Sequence, residues 1–121
     1  MASSLYSIVI DAHDLRSQAR FWCDVLDWRV LYADDLEVTI GADVTATPGL
    51  TFVPVKEGKA IKNRLHIDLN PDDRDAEVER ILALGARRAD VGQGPDVTWV
   101  VLEDPEGNEF CVLAPKTSLT G

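Results

Sequence analysis

Residues 5–10, LYSIVI, are apolar and β-branched and stop at Asp11, a pattern that predicts a short strand. Asp14 then stands in an N-cap position ahead of LRSQARFWCDVLDW, where Leu15, Ala19, Trp22 and Leu26 recur at helical spacing with Phe21 and Val25 beside them. Such a stripe must be covered, so the helix is expected to pack on a sheet. Three short alternating runs follow: WRVLY at 28–32, LEVTI at 36–40 and LTFVPV at 50–55. They are separated by Ala33-Asp34-Asp35 and by the Gly41 to Gly49 loop, and they predict three antiparallel strands.

After a polar connection, EGKAIKN, the same order of elements returns. RLHIDL predicts a strand, Pro71-Asp72-Asp73 opens the helix RDAEVERILALGA, and ARRADV, VTWVVLE and EFCVLA predict three more strands. A shift of 59 places lays SIVIDAHD on HIDLNPDD, so that Ser7 meets His66 and Asp14 meets Asp73. A period of that length indicates a duplicated supersecondary unit more than a solenoid. The expected fold is α+β: one domain over residues 1–121, built from βαβββ modules at 5–55 and 63–115.

Side chains of a strand alternate between its two faces, so polarity sorts them. In RLHIDL, Leu65, Ile67 and Leu69 should turn toward the helix, leaving Arg64, His66 and Asp68 opposite. In EFCVL, Phe110 and Val112 should go under the helices while Glu109, Cys111 and Leu113 share the other face. In SIVIDA, Ile8 and Ile10 should go under, with Ser7 and Val9 outward. Trp99, Val101 and Glu103 share one face of VTWVVLE, but which face it is stays open. Trp28, Val30 and Tyr32 form a further face that either lines a cavity or seals a core. A sheet covered by helices on one side only needs solvent or a ligand on the other. DPEGNEF at 104–110 reads as a turn, with Asp104 and Glu106 as solvated turn residues. His13 reads as a helix-entry residue.

Composition narrows the functions. Twelve Lys plus Arg against 21 Asp plus Glu give a net charge of −9, which repels phosphate backbones, so no nucleic-acid partner is expected. No apolar run is long enough for a membrane span, and the first residues lack the basic and apolar regions of a signal peptide, so no membrane partner and a cytoplasmic location are expected. Cys23 and Cys111 lie far apart outside any CxxC motif and read as reduced. Cys23 sits beside Trp22 as a core or boundary residue.

With these elements in order, the chain resembles the vicinal oxygen chelate superfamily, the glyoxalase/bleomycin resistance/dioxygenase group. The residues that carry the likeness are IDAHDLRSQARFWCDVLDWRV, KNRLHIDL, EVERILALGA and VVLEDPEGNEFCVL, which together span nearly the whole chain. The pieces KNRLHID and DPEGNEFC look most like small glyoxalase-like proteins. The resemblance implies two βαβββ modules curled into an incomplete barrel around a ligand cup, and a homodimer. It also implies metal ligands at four places: a His on the first strand of each module, and Glu residues on the last strand of one or both. Here those places hold Ser7, His66, a position at or next to Phe52, and Cys111.

Only His66 and Cys111 of these could hold a metal, with Glu109 or Asp68 as a third donor, whereas a catalytic zinc takes three protein ligands and a water. Two readings follow. In the first, the cup binds a small organic molecule without metal, through Ser7, Phe52, Arg64, His66, Asp68, Trp99, Glu109 and Cys111, and no cofactor is needed. In the second, a divalent metal at His66 and Cys111 serves a lyase, isomerase or dioxygenase. His66 is either a general base, since an ordinary histidine titrates near neutrality, or simply a polar residue oriented by Asp68 or Arg64. Cys111 is either a ligand or a small buried hydrophobe. Sheet edges leave a third use, the binding of a protein partner.

Overall fold

A computed structural model of the protein describes residues 2–89 and 97–120. The chain divides into two compact units, Met1–Gly58 and Lys59–Gly121. The first holds β1 (Ser7–Ala12), α1 (Leu15–Leu26), β2 (Arg29–Ala33), β3 (Val38–Gly41) and β4 (Gly49–Pro54). The second holds β5 (Ile67–Leu69), α2 (Arg74–Ala83), β6 (Arg87–Arg88), β7 (Val100–Glu103) and β8 (Glu109–Val112). Each unit is therefore a βαβββ module. The sheet orders, β1-β4-β3-β2 and β5-β8-β7-β6, are the same topology repeated. The last strand of each unit returns beside the first in parallel, and the strands after the helix pair antiparallel as expected.

In the first unit, the Asp14 carboxylate accepts from the Ser17 N–H and caps α1, which buries Ala19, Phe21, Trp22 and Val25. Phe21 and Trp22 meet edge-to-face at 5.2 Å. Leu15 and Leu26, at the ends of the stripe, are only partly covered, whereas Gln18 is fully buried although it is polar. Register puts Ile10, Phe52 and Val38 on one sheet face, with Leu50 and Ile40 in the next row. Phe52 and Ile40 are wholly inaccessible. Ile8 shares that face but stays 37% exposed, because β1 is the edge strand.

The opposite face of the first unit carries a row of hydroxyls. Ser7 Oγ lies 2.9 Å from Thr51 Oγ1, which lies 3.0 Å from Thr39 Oγ1. Val30 and Tyr32 are about half exposed, so they do not seal a core, and the Tyr32 hydroxyl donates to Asp34. His13 Nδ1 sits 3.1 Å from the Lys56 carbonyl oxygen, which ties the entry of α1 to the chain after β4.

In the second unit, Asp73 caps α2 by accepting from the Ala76 N–H, and Val78 and Ile81 go inward. Beneath them Leu69, Leu102, Phe110 and Val112 form the buried sheet face. The strand expected from Arg64 begins only at Ile67, and Leu65, expected under the helix, is 82% exposed. The cause lies in the partner strand. Ile67 pairs with Phe110, so the same register sets Arg64 and Leu65 opposite Gly107 and Asn108, in the turn before β8, where they find no strand to join. The expected strand ARRADV is seen as Arg87–Arg88, and its last residues lie outside the described residues.

The hairpin between β7 and β8 is the turn that DPEGN predicts. The Gly107 N–H donates to the Asp104 carbonyl, and Gly107 has φ +88, a conformation that favours glycine. One expectation fails here: Asp104 is buried, not solvated. Its carboxylate accepts from the backbone N–H groups of Glu106 and Asn108 and from the Asn108 amide.

Candidate functional site

Strand register in the second unit determines which side chains share the open face. Asp68 is the partner of Cys111, and Cys111 is the partner of Val101 on its other side. The face of β7 that sequence left open is thereby assigned: Trp99 and Val101 join Cys111, and Leu102 goes under with Phe110. A cavity of about 380 Å³ opens on this face. Its floor is Trp99, Val101, Cys111 and Leu113, and its polar side is His66, Asp68, Glu109 and Lys62. A cavity of this size with an apolar floor and few polar groups suits a small organic molecule.

The polar side is internally wired. His66 Nδ1 lies 3.3 Å from Asp68 Oδ1, which turns the imidazole and leaves Nε2 as its second functional nitrogen. The Cys111 thiol donates to Asp68. Burial first, then the Asp68 charge and this hydrogen bond, push the thiol up from 9.0 to about 11. At neutral pH Cys111 is thus a protonated thiol and a weak nucleophile. Glu109 Oε2 is buried and accepts no hydrogen bond, although Lys59 Nζ stands 3.4 Å away as its counter-charge.

Residues 59–63 pass alongside the last strand as a strap fastened twice. Lys59 pairs with Glu109, and Asn63 Nδ2 donates to Asn108 Oδ1 at 2.7 Å. Lys62 lies between these fasteners and faces the cavity. In the sequence EGKAIKN reads as a polar connection, and although Lys62 and Asn63 open the KNRLHID piece of the family likeness, neither they nor Lys59 are assigned to the cup. The segment has neither strand nor helix periodicity, so nothing in it assigns side chains to a face.

Of the residues singled out by sequence, His66, Asp68, Trp99, Glu109 and Cys111 share this cavity. Arg64 is exposed, just ahead of β5, and is not part of the lining. Ser7 and Phe52 belong to the first unit. The Ser7 hydroxyl is engaged by Thr51, and Phe52 lies on the packed face, so the open-face position of β4 is held by Thr51.

Among the described residues, His66, Asp68 and Cys111 form a group whose donor atoms all lie within 4.8 Å of one another. The separation of 3.3 Å between Nδ1 and Oδ1 is close to the edge of a tetrahedron with bonds of about 2.1 Å, the length zinc makes to nitrogen and oxygen. The four places implied by the resemblance fit a metal only in half, since a hydrogen-bonded serine and, on β4, a buried phenylalanine or the hydrogen-bonded Thr51 beside it offer it little. The local set of nitrogen, oxygen and sulfur fits better. An ion held there would act as a Lewis acid on a molecule in the cavity, after displacing the thiol proton.

A family model described as a glyoxalase-like domain matches residues 7–113. The chain belongs to the glyoxalase-like domain family. Solved structures share the fold of this glyoxalase-like chain. Fosfomycin resistance protein FosX from Listeria monocytogenes, determined with Mn(II) and sulfate, is 20% identical with a TM-score of 0.74, the match covering 97% of this chain and 94% of that one. The trypanothione-dependent glyoxalase I of Leishmania major is also 20% identical with a TM-score of 0.74, covering 96% of this chain and 89% of its own. A glyoxalase/bleomycin resistance protein/dioxygenase family enzyme from Burkholderia phytofirmans is 19% identical with a TM-score of 0.71, covering 94% of this chain and all of that one. At such identities the likeness concerns the fold. No curated protein matches the chain. No helix among the described residues is long and apolar enough to cross a membrane.

Proposed function

We propose that this glyoxalase-like protein binds a small organic molecule in the cavity of its second unit. The observation that carries the reading is the cavity of about 380 Å³, in which an apolar floor faces the His66–Asp68 pair. Trp99 supplies flat contact area, and His66 supplies a hydrogen bond or takes a proton from the bound molecule, with Asp68 holding its ring. The raised thiol of Cys111 makes it part of the floor and not a nucleophile.

A second reading is a divalent-metal enzyme of the lyase, isomerase or dioxygenase kind, favoured by the His66, Asp68 and Cys111 donors. One melting experiment separates the two. A panel of small aromatic amides, acids and amines, together with Zn(II) and Co(II), is added to purified protein. A ligand at about a hundred times its Kd stabilises by about 2.7 kcal/mol, which raises Tm by several degrees. The first reading expects such a rise with an organic ligand, and its loss in Leu113→Trp, which fills the cavity. A rise with metal alone that His66→Ala abolishes would replace it by the second. A protein whose Tm responds to neither refutes both.

A further inference from the structure

We infer that the cavity selects an organic anion: a molecule with an apolar, aromatic-sized body and a carboxylate or similar head that pairs with Lys62. This rests on the small-molecule reading above and adds the ligand's charge. The argument is one of matched and unmatched groups. Both acids on the cavity wall already have a partner, although one Glu109 oxygen, Oε2, accepts no hydrogen bond. Asp68 receives His66 at 3.3 Å and the Cys111 thiol, and Glu109 has Lys59 at 3.4 Å. Lys62 has no such partner among the described residues. Among the described residues of the wall, the charged side chain with neither an ion pair nor a hydrogen bond is therefore a cation.

Lys62 also differs from an ordinary surface lysine in how it is carried. Lys59 and Asn63, on either side of it, are fastened to the consecutive residues Glu109 and Asn108. The Lys59 and Glu109 side chains are only 18% and 19% exposed, so this end of the strap is anchored under cover. The backbone that presents Lys62 is thereby held at the rim, which lowers the ordering cost a loose lysine would bring to binding. Trp99, Val101 and Leu113 offer the apolar body a surface. The whole chain works against this preference, because its net charge of −9 repels anions at long range. That repulsion is screened beyond about 8 Å at physiological salt, whereas a contact with Lys62 is not.

The test uses three probes of one shape on the full chain: 4-phenylbutyrate, 4-phenylbutanamide and 4-phenylbutylamine, with Kd read by calorimetry. The acid is expected to bind about tenfold more tightly than the amide, as a charge-assisted hydrogen bond allows. In Lys62→Gln the acid falls to the affinity of the amide, while the amide is unchanged. Equal binding of acid and amide, tighter binding of the amine than the acid, or a preference that survives Lys62→Gln overturns the inference and leaves the small-molecule reading standing. If none of the three binds, the cavity reading fails and the anion preference falls with it. Far-ultraviolet circular dichroism and Tm of Lys62→Gln, expected to match wild type because Lys62 is exposed, certify that the variant is folded.

Discussion

Cys111 illustrates how one neighbour sets a residue's chemistry. Its thiol is raised to about 11 by burial and by Asp68, so at pH 7.5 very little of it is thiolate. Alkylation of Cys111 by iodoacetamide, followed by peptide mass spectrometry, should be at least tenfold slower than that of a free cysteine peptide, with a rate still climbing at pH 10. Asp68→Asn removes the charge and leaves only a neutral, weaker acceptor, so the thiol should fall and alkylation at pH 7.5 should speed up several-fold. An unchanged rate would mean that Asp68 has no hold on the thiol. The same shift has a sign for stability. The unfolded chain ionises near 9 and the folded one near 11, so the unfolded state binds fewer protons in that window and stability declines as pH rises through it. Single residues were read well wherever alternation could work. Period alone puts His66 and Cys111 on one face, whereas it misplaces Arg64 and Leu65, because a strand's length depends on where its partner turns, which no local pattern reveals.

At the level of elements, the β7–β8 hairpin depends on Asp104. Its carboxylate serves three N–H donors from Glu106 and Asn108, and the hairpin in turn positions Glu109 and the Asn108 that fastens the strap. Asp104→Ala leaves buried donors without acceptors, at about 1–3 kcal/mol in all. Urea unfolding should show that loss, with no change in the slope against denaturant, whereas Glu106→Ala should lie within about 0.5 kcal/mol of wild type. A loss at Asp104 as small as that at Glu106 would make it an ordinary turn residue. The helices and most strands were legible because caps and periodicity are local signals. The burial of Asp104 was not, since DPEGN reads as a turn whether its first carboxylate faces water or backbone.

For the molecule as a whole, the two-fold repetition was visible in the order of elements despite poor identity between the halves, and the repeated sheet order bears it out. The net charge of −9 has a measurable consequence of its own. Self-repulsion should be relieved by salt, so Tm at pH 8 should rise by a few degrees between 10 and 300 mM NaCl. The exposed ion pairs that salt weakens are worth only about 0–1 kcal/mol each. A falling Tm would mean that those pairs outweigh the repulsion. The row formed by Ser7, Thr51 and Thr39 bears on how the duplicated halves have parted ways. Three hydroxyls in a hydrogen-bonded row form a neutral zipper on the first sheet, whereas the equivalent surface of the second keeps an imidazole, a carboxylate and a thiol whose donor atoms lie within 4.8 Å of one another. The first sheet thus carries a neutral row where the second carries titratable groups, and under the small-molecule reading proposed above substitutions at positions 7, 39 and 51 should change ligand affinity less than substitutions at 66, 68 and 111.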